Sequence, residues 1–296
     1  MRGPALALLS VAVVVAGCGA LSAEEKRAKR ADYAHSADTA CAVLLGDLNS
    51  SRKPFGYLSL KSYLVRSDRS AGEAAKRLHD LRGKLGDAKS AQIEAFDRDI
   101  DPARTATTAL HAAANPVVLH ASAKQAQAIS VASKHARRAY DRLYRAARAA
   151  KLRSCGRGGN RLADNALFTS YNDRMTAVLT TGYRADRKVV FRGNRDRDRN
   201  ALVRNLRIAI ASLRRVKRLD PPADLRRVHR RYVRAAATVL RLERRQNTLL
   251  ASPLPDYRRI VALIDPVNAA IRRANARARR VFAALDGRYR RYSYSR

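Results

Sequence analysis

Apolar residues recur at every third or fourth position along most of this chain, which is the period of an α-helix with one buried face. The first such face follows residues 22–25, whose spacing matches a helix-capping box. It consists of Tyr33, Ala37, Ala40, Leu44 and Leu48. The pattern breaks at Gly46 and again over 49–54, and residues 55–66 are ambiguous between a short helix and a packed loop.

The next segment predicts two helices. Residues 70–73 repeat the capping-box spacing, so we expect a helix to begin there, with an apolar face that reaches Ile100. Pro102 and Pro116 are expected to bound a shorter helix, since proline interrupts helical hydrogen bonding.

A long, regular helix is predicted from Leu119 to about Leu152. Its face consists of Leu119, Ser122, Ala126, Ile129, Ser133, Ala136, Tyr140, Leu143 and Ala147. The small residues on this face allow a neighbouring helix to approach closely. Three glycines then fall within 156–159, which makes this segment the best candidate domain boundary.

The second half begins with a looser segment that we expect to be helical around 166–180, and a charged connector follows over 192–200. Three strong apolar faces come next, with Asp220 as a plausible N-cap of the second helix and Pro266 as a possible kink in the third. They start at Leu202, Leu225 and Tyr257. These faces and short connections predict an all-α fold of antiparallel helical bundles built from long Ala/Arg-rich helices.

The N-terminus has the form of an export signal. Arg2 precedes an apolar run over 5–16, which is too short to span a bilayer as a mature helix. The run ends in Val-Ala-Gly-Cys at 15–18, which matches a bacterial lipobox with Cys18 as the lipidated residue. The alternative is an ordinary signal peptide that happens to include this cysteine, and both interpretations export the protein.

If Cys18 carries lipid, Cys41 and Cys155 are the two cysteines that remain, and an oxidising compartment favours pairing them. The bridge would join residues 114 positions apart. For a loop of that length the chain-entropy model gives a stabilisation of the folded state of about 4 to 5 kcal/mol. The alternative is two buried free thiols. A metal site is disfavoured, because two cysteines and scattered histidines lack ligand spacing.

Several short segments resemble a diffuse group of secreted helical lipoproteins from high-GC actinobacteria. These proteins have an early helix with Tyr and Cys, a late Cys-Gly after a long Ala/Arg helix, and helices that start at Pro-Pro. The matching residues here are 31–41, 146–148, 152–156 and 219–225 with His229 and Tyr232. The resemblance implies a Cys41–Cys155 disulfide and a helical bundle, and it implies no activity.

The charge is strongly positive and unevenly placed. The chain contains 61 Lys and Arg against 25 Asp and Glu, a formal net charge of +36. Residues 1–150 account for +10 and residues 151–296 for +26. Arginine outnumbers lysine by 49 to 12, which codon bias in a GC-rich genome would explain, but that bias does not explain the scarcity of acids. An unselected solvated face therefore remains the alternative to a surface that binds polyanions.

The candidate polyanion-binding residues flank the Pro-Pro segment at 221–222. They are Arg214, Arg215, Lys217, Arg218, Arg226, Arg227, Arg230 and Arg231. Like charges four residues apart repel by a few tenths of a kcal/mol, so stability alone would not select this pattern. Expected partners are an anionic membrane surface or a cell-wall polymer and envelope proteins, with non-specific nucleic acid binding only in vitro.

We expect no enzymatic activity, no cofactor and no metal. The six histidines are dispersed, HExxH spacing does not occur, and no glycine-rich phosphate loop is present. A catalytic site could be assembled from His79, Asp80, Asp97, Asp99 and Asp101, but neighbouring residues on a surface helix are not expected to converge.

The sequence thus predicts an exported, non-catalytic protein that is lipid-anchored at the outer face of the cytoplasmic membrane and binds anionic envelope material. The alternative is an envelope protein-interaction scaffold without a polyanion ligand, and the oligomeric state is left open.

The expected organisation is a signal peptide at 1–17, a lipidated tether at 18–30, a disulfide-closed bundle at 31–155, a connector with a short helix at 156–200, a cationic bundle at 201–287 and a basic, Tyr-rich tail at 288–296.

Overall fold

The protein is all-α, as predicted. The computed structural model describes residues 21–50, 56–186, 195–252 and 256–293, and within these ranges it contains helices and no strand. The helices are α1 (Ala23–Ser50), α2 (Tyr57–Leu85), α3 (Ala91–Ala114), α4 (Ala123–Ala149), α5 (Gly159–Asp186), α6 (Arg195–Lys217), α7 (Arg226–Ala251), α8 (Tyr257–Ala262) and α9 (Ile264–Ser293). Helices that follow one another in sequence pack side by side, with α9 against α7.

The first helix begins where the capping box predicts. The Glu25 carboxylate accepts a hydrogen bond from the Ser22 backbone N–H at 2.7 Å, and Ser22 Oγ accepts one from the Glu25 N–H at 3.2 Å. These bonds lower the pKa of Glu25. The predicted face from Tyr33 to Leu48 is buried, and the helix continues through Gly46 instead of ending there.

The predicted helix start at 70–73 is wrong. Helix α2 begins at Tyr57 and runs without interruption to Leu85, so the ambiguous segment 55–66 is mostly helix. Ser70 is buried in the helix interior and its hydroxyl donates to the Asp47 carboxylate of α1. The capping-box spacing at Ser70 therefore serves a contact between helices rather than a helix end.

The predicted boundary at Pro102 is also wrong, because Pro102 lies inside α3. Proline there removes one backbone hydrogen bond, at a cost of about 3 kcal/mol. The residues on both sides of it are buried, with Ile100 before it and Ala103 after it, and the burial of this continuous face outweighs the local cost.

Helix α4 begins four residues later than predicted. Ser122 caps it, with Ser122 Oγ accepting from the Gln125 N–H at 3.2 Å, and Leu119 lies outside the helix with 67% of its surface exposed. The predicted face from Ala126 to Ala147 is buried.

A disulfide joins Cys41 of α1 to Cys155, with the two Cα atoms 4.8 Å apart. Asp38, one turn before Cys41, accepts the backbone N–H groups of Arg153 and Ser154 at 2.7 and 2.8 Å. The segment that follows α4 is thus tied to α1 by a covalent bond and by a carboxylate.

The glycine-rich segment at 156–159, predicted as a domain boundary, packs inside the N-terminal core. Gly156 has φ +82°, and a Cβ there would meet the Tyr144 backbone at 2.7 Å. A Cβ at Gly159 would lie 2.0 Å from the buried Tyr140 ring. Glycine is required because the chain passes directly over α4.

The expected connector with a short helix at 156–200 is instead the central helix of the fold. Helix α5 runs from Gly159 to Asp186, and from 162 to 171 every residue except Asp164 is buried. Leu162 and Ala166 belong to the N-terminal core, whereas Phe168, Tyr171 and Met175 belong to a second core formed with α6, α7 and α9. The two predicted bundles therefore share one helix.

The second bundle holds the three predicted apolar faces, in α6, α7 and α8–α9. Helix α6 already begins at Arg195, within the expected charged connector. Asp220 does not cap α7; it pairs with Lys134 of α4 at 2.8 Å, while Pro222 and Leu225 occupy the cap positions of the short 3₁₀ turn and of α7. The third face is divided at Leu263 between α8 and α9, and Pro266 lies in the first turn of α9.

Within the described ranges, no helix has both the length and the apolar character needed to cross a membrane. The predicted signal peptide and Cys18 lie outside those ranges.

Two glycine substitutions test the packing at the start of α5. Gly159→Ala is expected to lower the free energy of unfolding by about 3 kcal/mol, because the new methyl group overlaps the Tyr140 ring. Gly72→Ala in α2 is the control, since nothing lies within 4 Å of its Cβ position. It should raise stability by about 0.5 to 1 kcal/mol. Urea titration followed by circular dichroism measures both, and equal effects would contradict the packing.

Candidate polyanion-binding surface

The predicted basic residues lie at the turn that connects α6 to α7. Arg214, Arg215 and Lys217 occupy the last turn of α6, where the partial negative charge of the helix end favours cations. Arg226 and Arg227 occupy the first turn of α7, which contains no acidic residue. Cations are unfavourable at a helix N-terminus, and Asp224, in the 3₁₀ turn directly before α7, offsets part of that cost.

Four cationic side chains line one cleft at this turn. It has a volume of about 590 Å³. Its charged lining is Lys217, Arg226, Arg230 and Arg234, and its apolar floor includes Leu219, Pro221 and Val233. All four cations are exposed, and we call this surface the α7 cleft.

A second cleft lies on the other side of the turn, between α4, α5 and α6. It has a volume of about 460 Å³, and we call it the α5 cleft. Its cations are Lys124, Arg174, Arg215 and Arg218. Asp220 also lines it, but this carboxylate is held by Lys134 and accepts a hydrogen bond from Ser130 Oγ at 3.4 Å.

Five of the eight predicted residues therefore line the two clefts. Lys217, Arg226 and Arg230 belong to the α7 cleft, and Arg215 and Arg218 to the α5 cleft. Arg214, Arg227 and Arg231 are exposed and line neither cleft. The structure thus divides a set that the sequence treats as one face.

These cations have few acidic neighbours. Residues 201–287 include 21 Lys and Arg but six Asp and Glu. Among the described residues, none of the eight predicted cations forms an ion pair with a carboxylate, and the ion pair of α8 joins Arg259 to Asp256 elsewhere in the bundle. The clefts therefore present positive charge that the described carboxylates leave unneutralised.

Three cleft residues were missed as candidate site residues. Arg234 follows Arg226 and Arg230 at the four-residue spacing of a helical row, a signal that could have extended the candidate set. Lys124 and Arg174 come from α4 and α5, and no sequence pattern places them beside α6.

A buried histidine and tyrosine connect the α7 cleft to the central helix. Tyr171 Oη of α5 and His229 Nδ1 of α7 share a hydrogen bond of 3.0 Å, and their rings meet edge to face. Burial lowers the pKa of His229 and raises that of Tyr171, so both are neutral near pH 7. His229 therefore supports the cleft by packing and adds no charge to it.

Of the residues considered for catalysis, His79 and Asp101 meet across α2 and α3, whereas Asp99 Oδ1 lies 3.6 Å from Arg142 Nε of α4. His79 Nε2 lies 3.3 Å from Asp101 Oδ1, and Arg82 Nε lies 3.2 Å from Asp97 Oδ2. Tyr33 donates to Asp97 Oδ1 at 3.2 Å, and burial raises the pKa of Asp97. These contacts hold α1, α2 and α3 together.

No group of three or more potential metal-ligating side chains occurs in the described part of the chain. The predicted tail contributes its backbone to α9 as far as Ser293, and its last three residues lie outside the described ranges.

No protein-family model matches the sequence, and neither a curated protein nor a solved structure is significantly similar to it.

The buried His229 predicts a pH dependence of stability. In the unfolded chain its pKa is near the usual 6.5, and in the folded protein it is lower. As the pH falls through 6.5 the unfolded state binds more protons, so stability is lost, by at most about 1.4 kcal/mol per pH unit. Above that pH the contribution of His229 to the free energy of unfolding is fully present.

His229→Gln should remove this component, so that the free energy of unfolding falls less steeply between about pH 7.5 and pH 5.5 than it does in the wild-type protein. Urea titrations at several pH values measure the two slopes. Identical slopes would show that His229 is not buried in the neutral form.

Proposed function

We propose that this protein is an exported lipoprotein that binds anionic envelope material through the two clefts at the α6–α7 turn. The observation that carries the proposal is the convergence on these clefts of basic residues from distant parts of the chain. Asp220, already paired with Lys134, is the one carboxylate among the described residues that line the two clefts. Lys124 and Arg174 come from helices α4 and α5, yet they join Arg215 and Arg218 in the α5 cleft. A merely solvated basic face does not require such convergence.

Two chemical features of the α7 cleft suit a phosphate-bearing polymer or membrane. Arginine binds phosphate oxygens through two parallel hydrogen bonds, and three of the four cations here are arginines. The cleft also has an apolar floor at Leu219, Pro221 and Val233, which can contact the non-polar part of a lipid headgroup region. The proposed class of ligand is therefore a surface or polymer with repeated phosphate groups.

The proposed export and lipid anchor place the clefts beside such a ligand. The lipobox-like segment at 15–18 motivates the anchor, and the Cys41–Cys155 disulfide is of the kind that persists in an oxidising compartment. The resemblance to secreted actinobacterial lipoproteins points the same way. An anchored protein would meet anionic headgroups at high local concentration, which compensates for weak individual contacts.

The proposal predicts salt-dependent binding to anionic vesicles. The chain from residue 19 onward contains every described residue and should bind vesicles of phosphatidylglycerol but not of phosphatidylcholine. Arg226→Gln combined with Arg230→Gln should weaken binding about thirtyfold, since each basic residue near an anionic surface contributes about 1 kcal/mol. Co-sedimentation from about 0.05 to 0.5 M salt measures the affinity.

The matched control is Arg227→Gln combined with Arg231→Gln. This pair removes the same charge from the same helix at exposed positions that line neither cleft. We expect this control pair to lower the affinity for the vesicles less than about threefold. Equal losses from the two pairs would indicate binding to net charge alone. Absent or salt-insensitive binding would exclude the proposal and favour a protein-interaction scaffold.

A separate prediction concerns the anchor. The native host should incorporate a fatty-acid analogue into the protein, and Cys18→Ala should abolish the label while Cys41→Ala combined with Cys155→Ala leaves it in place. Labelling of the Cys18→Ala protein would show that the lipobox assignment is wrong.

A further inference from the structure

The second bundle contains an apolar cavity that the polyanion proposal does not use. It lies between α5, α6, α7 and α9 and has a volume of about 430 Å³. This volume falls in the range of binding sites for small molecules. Its walls include Val178 of α5, Leu213 of α6, Val239 of α7 and Phe282 of α9.

Small side chains at facing positions create this cavity. Ala209 and Ser212 line it from α6, Ala236 from α7, and Ala274 and Ala278 from α9. The cavity separates two groups of packed residues, one around Tyr171 and Val281 and the other around Leu202 and Leu240. Protein interiors are normally close-packed, so an opening of this size within a bundle is unusual unless something fills it.

The cavity is apolar inside and polar at one edge. Asn275 and Arg279 lie one turn apart on the same face of α9, and both are exposed while they line the cavity. Glu243 also lines it, one turn beyond Val239 along α7. The Arg279 edge therefore offers a cation and an amide beside an apolar interior.

We propose that this cavity binds the hydrocarbon chain of a long-chain fatty carboxylate, with the carboxylate at Arg279 and Asn275. Charge complementarity at the rim favours this occupant: among the described residues two charged side chains line the cavity, and of these Arg279 is exposed while Glu243 is half-buried. The exposed guanidinium pairs with a carboxylate through two hydrogen bonds, and the surrounding bundle is strongly cationic. The largely apolar lining can take up an alkyl chain.

This inference is independent of the polyanion proposal, because the cavity shares no lining residue with the α7 cleft or the α5 cleft. Arg226→Gln combined with Arg230→Gln should therefore leave fatty-acid binding unchanged, and the two proposals can fail separately.

The test measures binding of cis-parinaric acid, a fatty acid that fluoresces when it is buried, to the full chain after removal of co-purified lipid. We expect saturable binding of one molecule per chain and displacement by palmitate. Hexadecanol should compete about tenfold less well, because it lacks the charge, and hexadecyltrimethylammonium should compete least. Affinity should rise with chain length until the cavity is filled.

Substitutions locate the site. Ala274→Phe and Ala236→Phe, on different helices, should each reduce binding at least about tenfold by occupying the cavity, while thermal unfolding shows that the variants remain folded. Ala276→Phe is the control, since Ala276 is exposed on α9 and does not line the cavity. Arg279→Gln should weaken palmitate but not hexadecanol, and Arg280→Gln should change neither.

Three results would overturn the inference. The first is the absence of saturable binding to the wild-type chain. The second is unchanged binding in both filled-cavity variants, or an equal loss in Ala276→Phe. The third is a preference for the alcohol or the cationic amphiphile over palmitate, which would exclude a carboxylate at Arg279.

Discussion

The burial of residues 162–171 of α5 is the constraint on which the rest of the structure depends. From 162 to 171 this helix has almost no solvent-facing surface, so it can exist only when α4 covers one side and the second bundle covers its continuation. The glycines at 156 and 159 let the chain enter α5 directly over α4, and the Cys41–Cys155 disulfide holds that entry to α1. The two bundles are thereby built on a common axis.

This shared helix explains where the charged clefts form. The α6–α7 turn lies against α5, and the Tyr171–His229 hydrogen bond and the Lys134–Asp220 ion pair hold it to α5 and α4. The neutral state of His229, favoured by burial, keeps the support apolar while the arginines around it remain in solvent. Arg226 and Arg227, in the first turn of α7, thus follow a turn that is held to two neighbouring helices.

Apolar periodicity predicted the fold class and most buried faces, because a 3.6-residue period directly reports which side of a helix is covered. The prediction of helix ends failed where residues that usually mark an end make tertiary contacts. Ser70 donates a hydrogen bond to Asp47 across α1 and α2, and Asp220 pairs with Lys134 of α4 instead of capping α7. Pro102 lies inside α3, whose face is buried on both sides of it. Helix α5 was underestimated because a helix buried all round has no polar face to define a period. The sequence proposed a single basic face and could not tell that Arg226 and Arg230 line a cleft while Arg227 and Arg231 do not, because that depends on which side of α7 is covered. Lys124 and Arg174 meet α6 only in three dimensions.

The central claim is that the α6–α7 turn and the helices beside it form an anion-binding surface. Amide hydrogen exchange of the full chain with and without inorganic polyphosphate tests it most directly. The account predicts slower exchange over about 215–234, with smaller protection near Arg174 and Lys124 and none in α1 to α3. Protection spread evenly over all exposed basic helices, or absent from 215–234, would contradict it.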